Sequence, residues 1–279
     1  MRALKGHGTE NDFVVLPDLD GELSLSPSLV RALCDRHAGI GADGVLRVVR
    51  TEVATEPDVR AQAPVAEYFM DYHNADGSIA EMCGNGVRVF ARYLREQGLV
   101  DGPFSVATRG GAKDVSFEGD EVAVTMGRPA SRDERPKVSV VGLVGESTGV
   151  AIDMPNPHVV VEIDSPAALA GLDLTRPPSV TPSLPDGQNV EFIVRTGQNR
   201  LRMRVHERGV GETRSCGTGI CAAVAAAAGP QGARERWTVE IPGGRCGVRW
   251  DADGAMVLSG PAELVAEICL AADWLAEHR

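Results

Sequence analysis

Cys-Gly-x-Gly occurs twice in this chain, at Cys83 and at Cys216, and the surroundings repeat as well. Around the first stands EYFMDYHNADGSIAEMCGNGVRVFARYL and around the second LRMRVHERGVGETRSCGTGICAAVAAAA. Each reads as a β-rich run, a polar Gly-containing loop, then the cysteine leading into an apolar, helix-compatible stretch. A shift of 133 residues superposes Cys83 on Cys216, Gly84 on Gly217, Gly86 on Gly219, Met70 on Met203 and Asn74 on Glu207. A shift of 145 lays residues 11–15, NDFVV, over residues 156–160, NPHVV, and residues 43–46, DGVL, over residues 188–191, QNVE. The 12-residue difference falls in TEVATEPDVRAQAPVA, residues 51–66, a Pro- and charge-containing segment suited to an exposed loop. A duplication on this scale limits the fold to two related halves.

The boundary between the halves is expected near residues 127–129, after DVSFEGDEVAVTM, where Glu118-Gly-Asp turns between two alternating strands. This gives residues 1–128 carrying Cys83 and residues 129–261 carrying Cys216. An Asp-rich turn at residues 251–254 predicts a late hairpin, and residues 263–278 read as a final helix. Residues 220–228 are apolar on all sides, which places that helix inside the protein. Each half is thus expected to enclose one central helix in a sheet, with a cysteine at its N-terminus facing the seam between halves. Taken singly, either cysteine reads as a small buried side chain, because Cys is among the most buried residue types.

Composition narrows the function. The formal charge of −11 offers no Lys/Arg field for a phosphate backbone, so no nucleic-acid partner is expected. The longest apolar run has 9 residues, and MRALKGHGTENDF lacks an apolar signal core, so the expectation is a soluble cytoplasmic protein with no membrane partner. Six cysteines without an export signal favour free thiols. The close pairs Cys34/His37 and Cys216/Cys221 are unmatched by second pairs, so no metal is expected. Phosphate-loop, dinucleotide and GxSxG patterns are absent, and Lys5, Lys113 and Lys137 sit in no recognisable pyridoxal phosphate setting. No cofactor is expected.

A helix N-terminus presents unpaired N–H groups and about half a positive charge, which favours thiolate over thiol and binds carboxylates. Glycines 84, 86, 217 and 219 leave that backbone open to an anion. Two such ends facing one another hold a carboxylate while placing a sulfur on each side of the adjacent carbon. One thiolate then removes the α-proton, the opposing thiol returns a proton to the other face, and the amides stabilise the enolate-like charge.

The residues GHGTENDFVVL, GIGADGVL, NADGS with MCGNGVR, NPH, QNVEF and HERGVGETRSCGTG together resemble the diaminopimelate epimerase family over nearly the whole chain. The resemblance implies an α/β (α+β) fold of two pseudo-symmetric domains, each a mixed or antiparallel sheet around a central helix, with residues 262–279 returning to the first. It implies interconversion of LL- and meso-diaminopimelate without cofactor, toward lysine and the cell-wall peptide. By position it makes Cys83 and Cys216 the base and acid pair. Gly84, Asn85, Gly217 and Thr218 become the carboxylate-holding amides. Asn11, Asn74, Asn156, Asn189, Glu207 and Arg208 become the substrate shell, in which Arg208 clamps a distal carboxylate. His158 and Glu207 match positions that adjust the thiols' protonation. A homodimer stays open as an assembly.

Two positions depart from the family pattern. Gly44 stands where many members have Gln, and Pro155 where Gly is more frequent, so both put fine positioning in question and leave the reacting groups intact. His37 and Arg36 read as structural, near a helix C-terminus, and Cys221 reads as core. Alternatives are a two-thiol racemase acting on proline or hydroxyproline, a redox protein joining Cys83 to Cys216, and a non-catalytic amino-acid binder. The proline reading leaves Arg208 without a second carboxylate to hold.

Overall fold

The computed structural model describes residues 1–229 and 235–278, and the chain divides into two compact units, Met1–Val124 with Pro261–Arg279, and Thr125–Gly260. In the first unit, strands Arg2–Gly8 and Asn11–Pro17 form a hairpin whose turn residues Thr9 and Glu10 both have positive φ (51° and 62°). That is the backbone twist a two-residue hairpin turn demands. Asn11–Pro17 pairs in parallel with Gly44–Arg50, which pairs antiparallel with Tyr68–Asn74. Tyr68–Asn74 runs parallel to Phe104–Ala107, and the meander continues through Lys113–Glu118 and Glu121–Gly127, turning at Gly119.

The second unit repeats this order. Val150–Met154 and Asn156–Glu162 form the hairpin, Asn156–Glu162 runs parallel to Asn189–Gly197, and Asn189–Gly197 runs antiparallel to Arg200–Glu207. Arg200–Glu207 is parallel to Trp237–Ile241, followed by the antiparallel Gly244–Trp250 and Met256–Gly260 around the Asp251 turn. Register is duplicated too. Phe13 opposes Gly44 as His158 opposes Asn189, and Val48 opposes Met70 as Ile193 opposes Met203. The α/β class with two pseudo-symmetric halves therefore holds at the level of individual strand partners.

Each unit carries one long helix. Gly84–Glu96 packs on Arg2–Gly8, Asn11–Pro17 and Glu263–Cys269, and is buried along most of its length. Gly217–Ala228 packs on Val150–Met154, Asn156–Glu162 and Asn189–Gly197. It is buried from Gly217 to Val224 apart from the half-buried Thr218, and its last turn of alanines is half-buried, so the expected burial on all sides covers its first two turns. Small side chains at Ala222, Ala223 and Val224 let the strands approach it closely.

Two expectations are corrected. Residues 263–278 are not one helix: Glu263–Cys269 is a strand antiparallel to Arg2–Gly8, and only Ala272–His278 is helical. Leu264 and Ile268 turn half inward while residues 265–267 stay exposed, so it is pairing with the distant Arg2–Gly8, and not an alternating pattern, that makes this segment a strand. Residues 51–66 are not simply an exposed loop. They form the 3₁₀ turn Thr51–Val53 and the short helix Pro57–Arg60, because Ala54, Val59 and Ala66 pack on Val49, Phe69 and Ala107.

Candidate active site

Each cysteine is the N-cap of its unit's long helix. Cys83 (φ −140°, ψ 118°) and Cys216 (φ −127°, ψ 110°) both have extended backbones, so their side chains fold back over the first turn. Cys83 Sγ accepts from the Gly86 N–H at 3.5 Å, and Cys216 Sγ accepts from the Gly219 N–H at 3.4 Å. Gly84 and Asn85 open one helix, Gly217 and Thr218 the other.

In the first unit, Asn11 is the hub. Its Oδ1 accepts from Cys83 Sγ at 3.6 Å and from Asn85 Nδ2 at 3.2 Å, while its Nδ2 donates to Asp43 Oδ2 at 2.7 Å. Asp43 is held in turn by Arg36, which also bridges Asp12. Arg36 braces the strand that presents Asn11 through these two aspartates, where the sequence placed it at a helix C-terminus. Burial raises the Asp43 carboxyl above its usual range, whereas Lys5 and Arg36 outweigh burial at Asp12 and hold it below. Asn74 stands apart: its Nδ2 donates to Ser78 Oγ at 3.0 Å inside its own turn.

In the second unit, Cys216 is 5% exposed. Asn189 Nδ2 donates to its sulfur at 3.8 Å, Thr218 Oγ1 lies 3.6 Å away, and Glu207 hydrogen-bonds it. Thr213 Oγ1 donates to Glu207 Oε1, and Asn189 Oδ1 accepts from the Arg208 N–H at 2.9 Å. The exposed Arg208 guanidinium donates to the Asp186 carbonyl, and among the described residues no carboxylate pairs with it. His158 binds Glu191 Oε1 through Nδ1 at 2.7 Å and Asn156 Oδ1 through Nε2 at 3.0 Å. Burial pushes the Cys216 thiol well above its usual range, and the nearby Glu207 and Glu191 push it the same way. Burial also raises Glu207, partly offset by its bonds to Thr213 and Cys216.

The two departures have local consequences. A Cβ at Gly44 would meet His73 O at 2.6 Å and Tyr72 Cε2 at 2.7 Å, so Tyr72 fills the space a longer side chain would need. Tyr72 itself packs edge-on against Phe13, centroids 5.9 Å apart. Pro155 is the single residue between Met154 and Asn156 in the second hairpin, one fewer than in the first, and its φ is +24°. Proline prefers φ near −65°, so this turn is strained just before Asn156.

The sequence profile of diaminopimelate epimerase matches residues 3–131 and 150–265. The chain belongs to the diaminopimelate epimerase family. A relative from Thermobifida fusca, named diaminopimelate epimerase, is 52% identical over 96% of this chain and 97% of its own. Another of that name from Streptomyces coelicolor is 49% identical, over 98% and 96%. Among solved structures, a phenazine biosynthesis protein of the PhzF family from Bacillus anthracis matches with a TM-score of 0.70 at 16% identity, covering 97% of this chain and 99% of that one. A hydroxyproline epimerase from Agrobacterium vitis matches with a TM-score of 0.66 at 15% identity, covering 98% and 93%. These last two share the fold. No helix among the described residues is long and apolar enough to cross a membrane.

Two residues with buried charge escaped the sequence reading. Glu191 is fully buried beneath Gly219, where a Cβ would come within 2.6 Å of its Oε1. Its place among apolar neighbours in NVEFIV was the available signal. Arg88, three residues after Asn85 on the same helix, is 0% exposed and donates to Asn85 Oδ1 at 2.6 Å. The signal there was a charge on a helix whose neighbours are otherwise apolar.

Proposed function

We propose that this family member interconverts LL- and meso-diaminopimelate with Cys83 and Cys216 as the two proton-transfer groups. The observation that carries the reading is the duplication itself: two units of one register, each presenting a cysteine as N-cap of a buried, glycine-opened helix.

In this reading the thiolate of one cysteine takes the α-proton, leaving a carbanion whose charge spreads onto the α-carboxylate as an enediolate. The N–H groups of Gly84, Asn85, Gly217 and Thr218 offset that charge. The thiol of the other cysteine then delivers its proton to the opposite face. One S–H bond forms, one breaks, and nothing is oxidised or reduced, so the thiols end with exchanged protonation. Cys216 enters as the thiol, consistent with its burial beside Glu207 and Glu191. Arg208, free of any carboxylate partner among the described residues, holds the distal carboxylate, and Asn11, Asn74, Asn156 and Asn189 serve the amino and carboxylate groups. His158 and Glu207 set the protonation of Cys216. No cofactor takes part.

The test is solvent-deuterium incorporation at the α-carbon across a panel of amino acids. Incorporation with diaminopimelate and none with proline is expected. Incorporation with proline alone would assign the chain to the other activity.

A further inference from the structure

Arg88 is the largest fully buried side chain among the described residues, and its surroundings are unusual. Its guanidinium donates to Asn85 Oδ1 at 2.6 Å, to Thr9 Oγ1 at 3.0 Å and to the Pro261 carbonyl at 2.9 Å, while Nε has no partner. All three acceptors are neutral, and among the described residues no carboxylate forms an ion pair with it. A buried guanidinium without a counter-charge is costly and is retained only where something compensates it. The hairpin is shaped to it: a Cβ at Gly8 would come within 3.2 Å of Nη2 and 3.0 Å of Asn85 O.

The acceptors lead to the reacting group. Arg88 fixes Asn85, Asn85 donates to Asn11, and Asn11 accepts from Cys83. The neighbouring carboxylates are occupied, Asp12 with Lys5 and Arg36, Asp43 with Arg36, while Glu81 stands exposed. Among the described residues the second unit has no such cation. Cys221 occupies the equivalent position under the 133-residue shift, and it is a buried neutral thiol.

We propose that Arg88 is the positioning residue and fixed counter-charge of the Cys83 end: it holds Asn85 against Asn11, whose Oδ1 receives the Cys83 S–H, and its positive charge outweighs that acceptor's preference for the thiol and favours the Cys83 thiolate. This rests on reading Cys83 as a proton-transfer group. The missing counter-ion is then the thiolate itself, or the enediolate formed beside it.

The experiment is iodoacetamide labelling of the substrate-free enzyme near neutral pH, followed by peptide mass spectrometry of each cysteine. It reads charge without any turnover, so its outcome is separate from that of the epimerase assay. In Arg88→Met, Cys83 labels roughly tenfold more slowly, because labelling follows the thiolate fraction, while Cys34, Cys221 and Cys246 stay as protected as in the parent. Arg88→Lys keeps most of the rate. Since Arg88→Met removes a buried side chain and threatens folding, Thr9→Asp provides the second variant: it places a carboxylate on the intact guanidinium, at a positive-φ site Asp tolerates. It slows Cys83 labelling likewise. Unchanged or faster Cys83 labelling in folded Arg88→Met, or in Thr9→Asp, overturns the proposal.

Discussion

The helix glycine one turn beyond each cysteine rests on different floors in the two units. Gly86 lies against Leu46 and Phe13, whereas Gly219 lies against Glu191, which is paired with His158. Leu46 and Glu191 occupy one register position, Phe13 and His158 another. The same backbone therefore supports an apolar floor with a buried cation on one side and a buried acid–imidazole pair on the other. Duplication fixed the geometry, and substitution at a few buried positions differentiated the chemistry. A pair of proton-transfer groups that must begin in opposite protonation states needs this kind of difference.

The comparison breaks most visibly at the sulfurs. Cys83→Ala and Cys216→Ala each lower the epimerisation rate by at least about 10²–10⁴-fold, measured with purified diaminopimelate isomers in reducing buffer. Retained activity in either variant removes the requirement for both.

Replacing the second floor by the first comes next. His158→Phe strands a buried carboxylate and costs about 3–5 kcal/mol in urea unfolding. The double variant His158→Phe/Glu191→Leu recovers most of that stability, because a buried hydrogen-bonded polar pair is replaced by the apolar pair its sister unit carries. Activity does not recover with it. Additive losses would show that the floors are not interchangeable in packing.

A second contrast lies on Tyr68–Asn74 and its counterpart Arg200–Glu207. Asp71 binds His73, Arg47 and Arg109, whereas Arg204, its counterpart under the 133-residue shift, binds Glu212 and the carbonyls of Leu169 and Leu172. Burial raises the Asp71 carboxyl, yet its bonds to His73 and Arg109 outweigh this and hold it at about 2. A carboxyl lowered on folding contributes stability above its unfolded value and loses it as pH falls toward the folded one. Asp71→Asn should thus cost about 2 kcal/mol near neutral pH, with the gap to the parent closing below about pH 4. A gap independent of pH would locate the cost in packing instead.

The smallest effects separate fold from chemistry at one register position. Gly44→Ala lowers stability by at least about 1 kcal/mol through contact with the His73 carbonyl and Tyr72. Asn189→Ala changes stability less and turnover more, because Asn189 touches the Cys216 sulfur and the Arg208 N–H. Thermal melts and steady-state rates on the two variants distinguish the roles.

Much of this architecture is legible in the chain because its governing constraints are local. A Cys-Gly-x-Gly sequence combines an N-cap side chain with glycines that permit close strand approach, and the paired runs preserve alternation on both sides. What escaped depends on distance. Glu263–Cys269 is a strand only because Arg2–Gly8 lies beside it, and Arg88 is explained by Thr9 and Pro261, acceptors far away in sequence. Gly44 was readable as a departure, but the ring of Tyr72 that fills its space was not. The sequence named Asn11, Asn85 and Cys83 one by one; the hydrogen bonds that join them are visible only in three dimensions.

One group per face is the central claim, and early-time isotope distribution tests it most directly. With LL-diaminopimelate in deuterium oxide, the meso product carries deuterium at the inverted carbon while recovered substrate at low conversion stays protonated there. Equal deuterium in recovered substrate and product would mean that a single group removes and returns the proton, and would contradict the account.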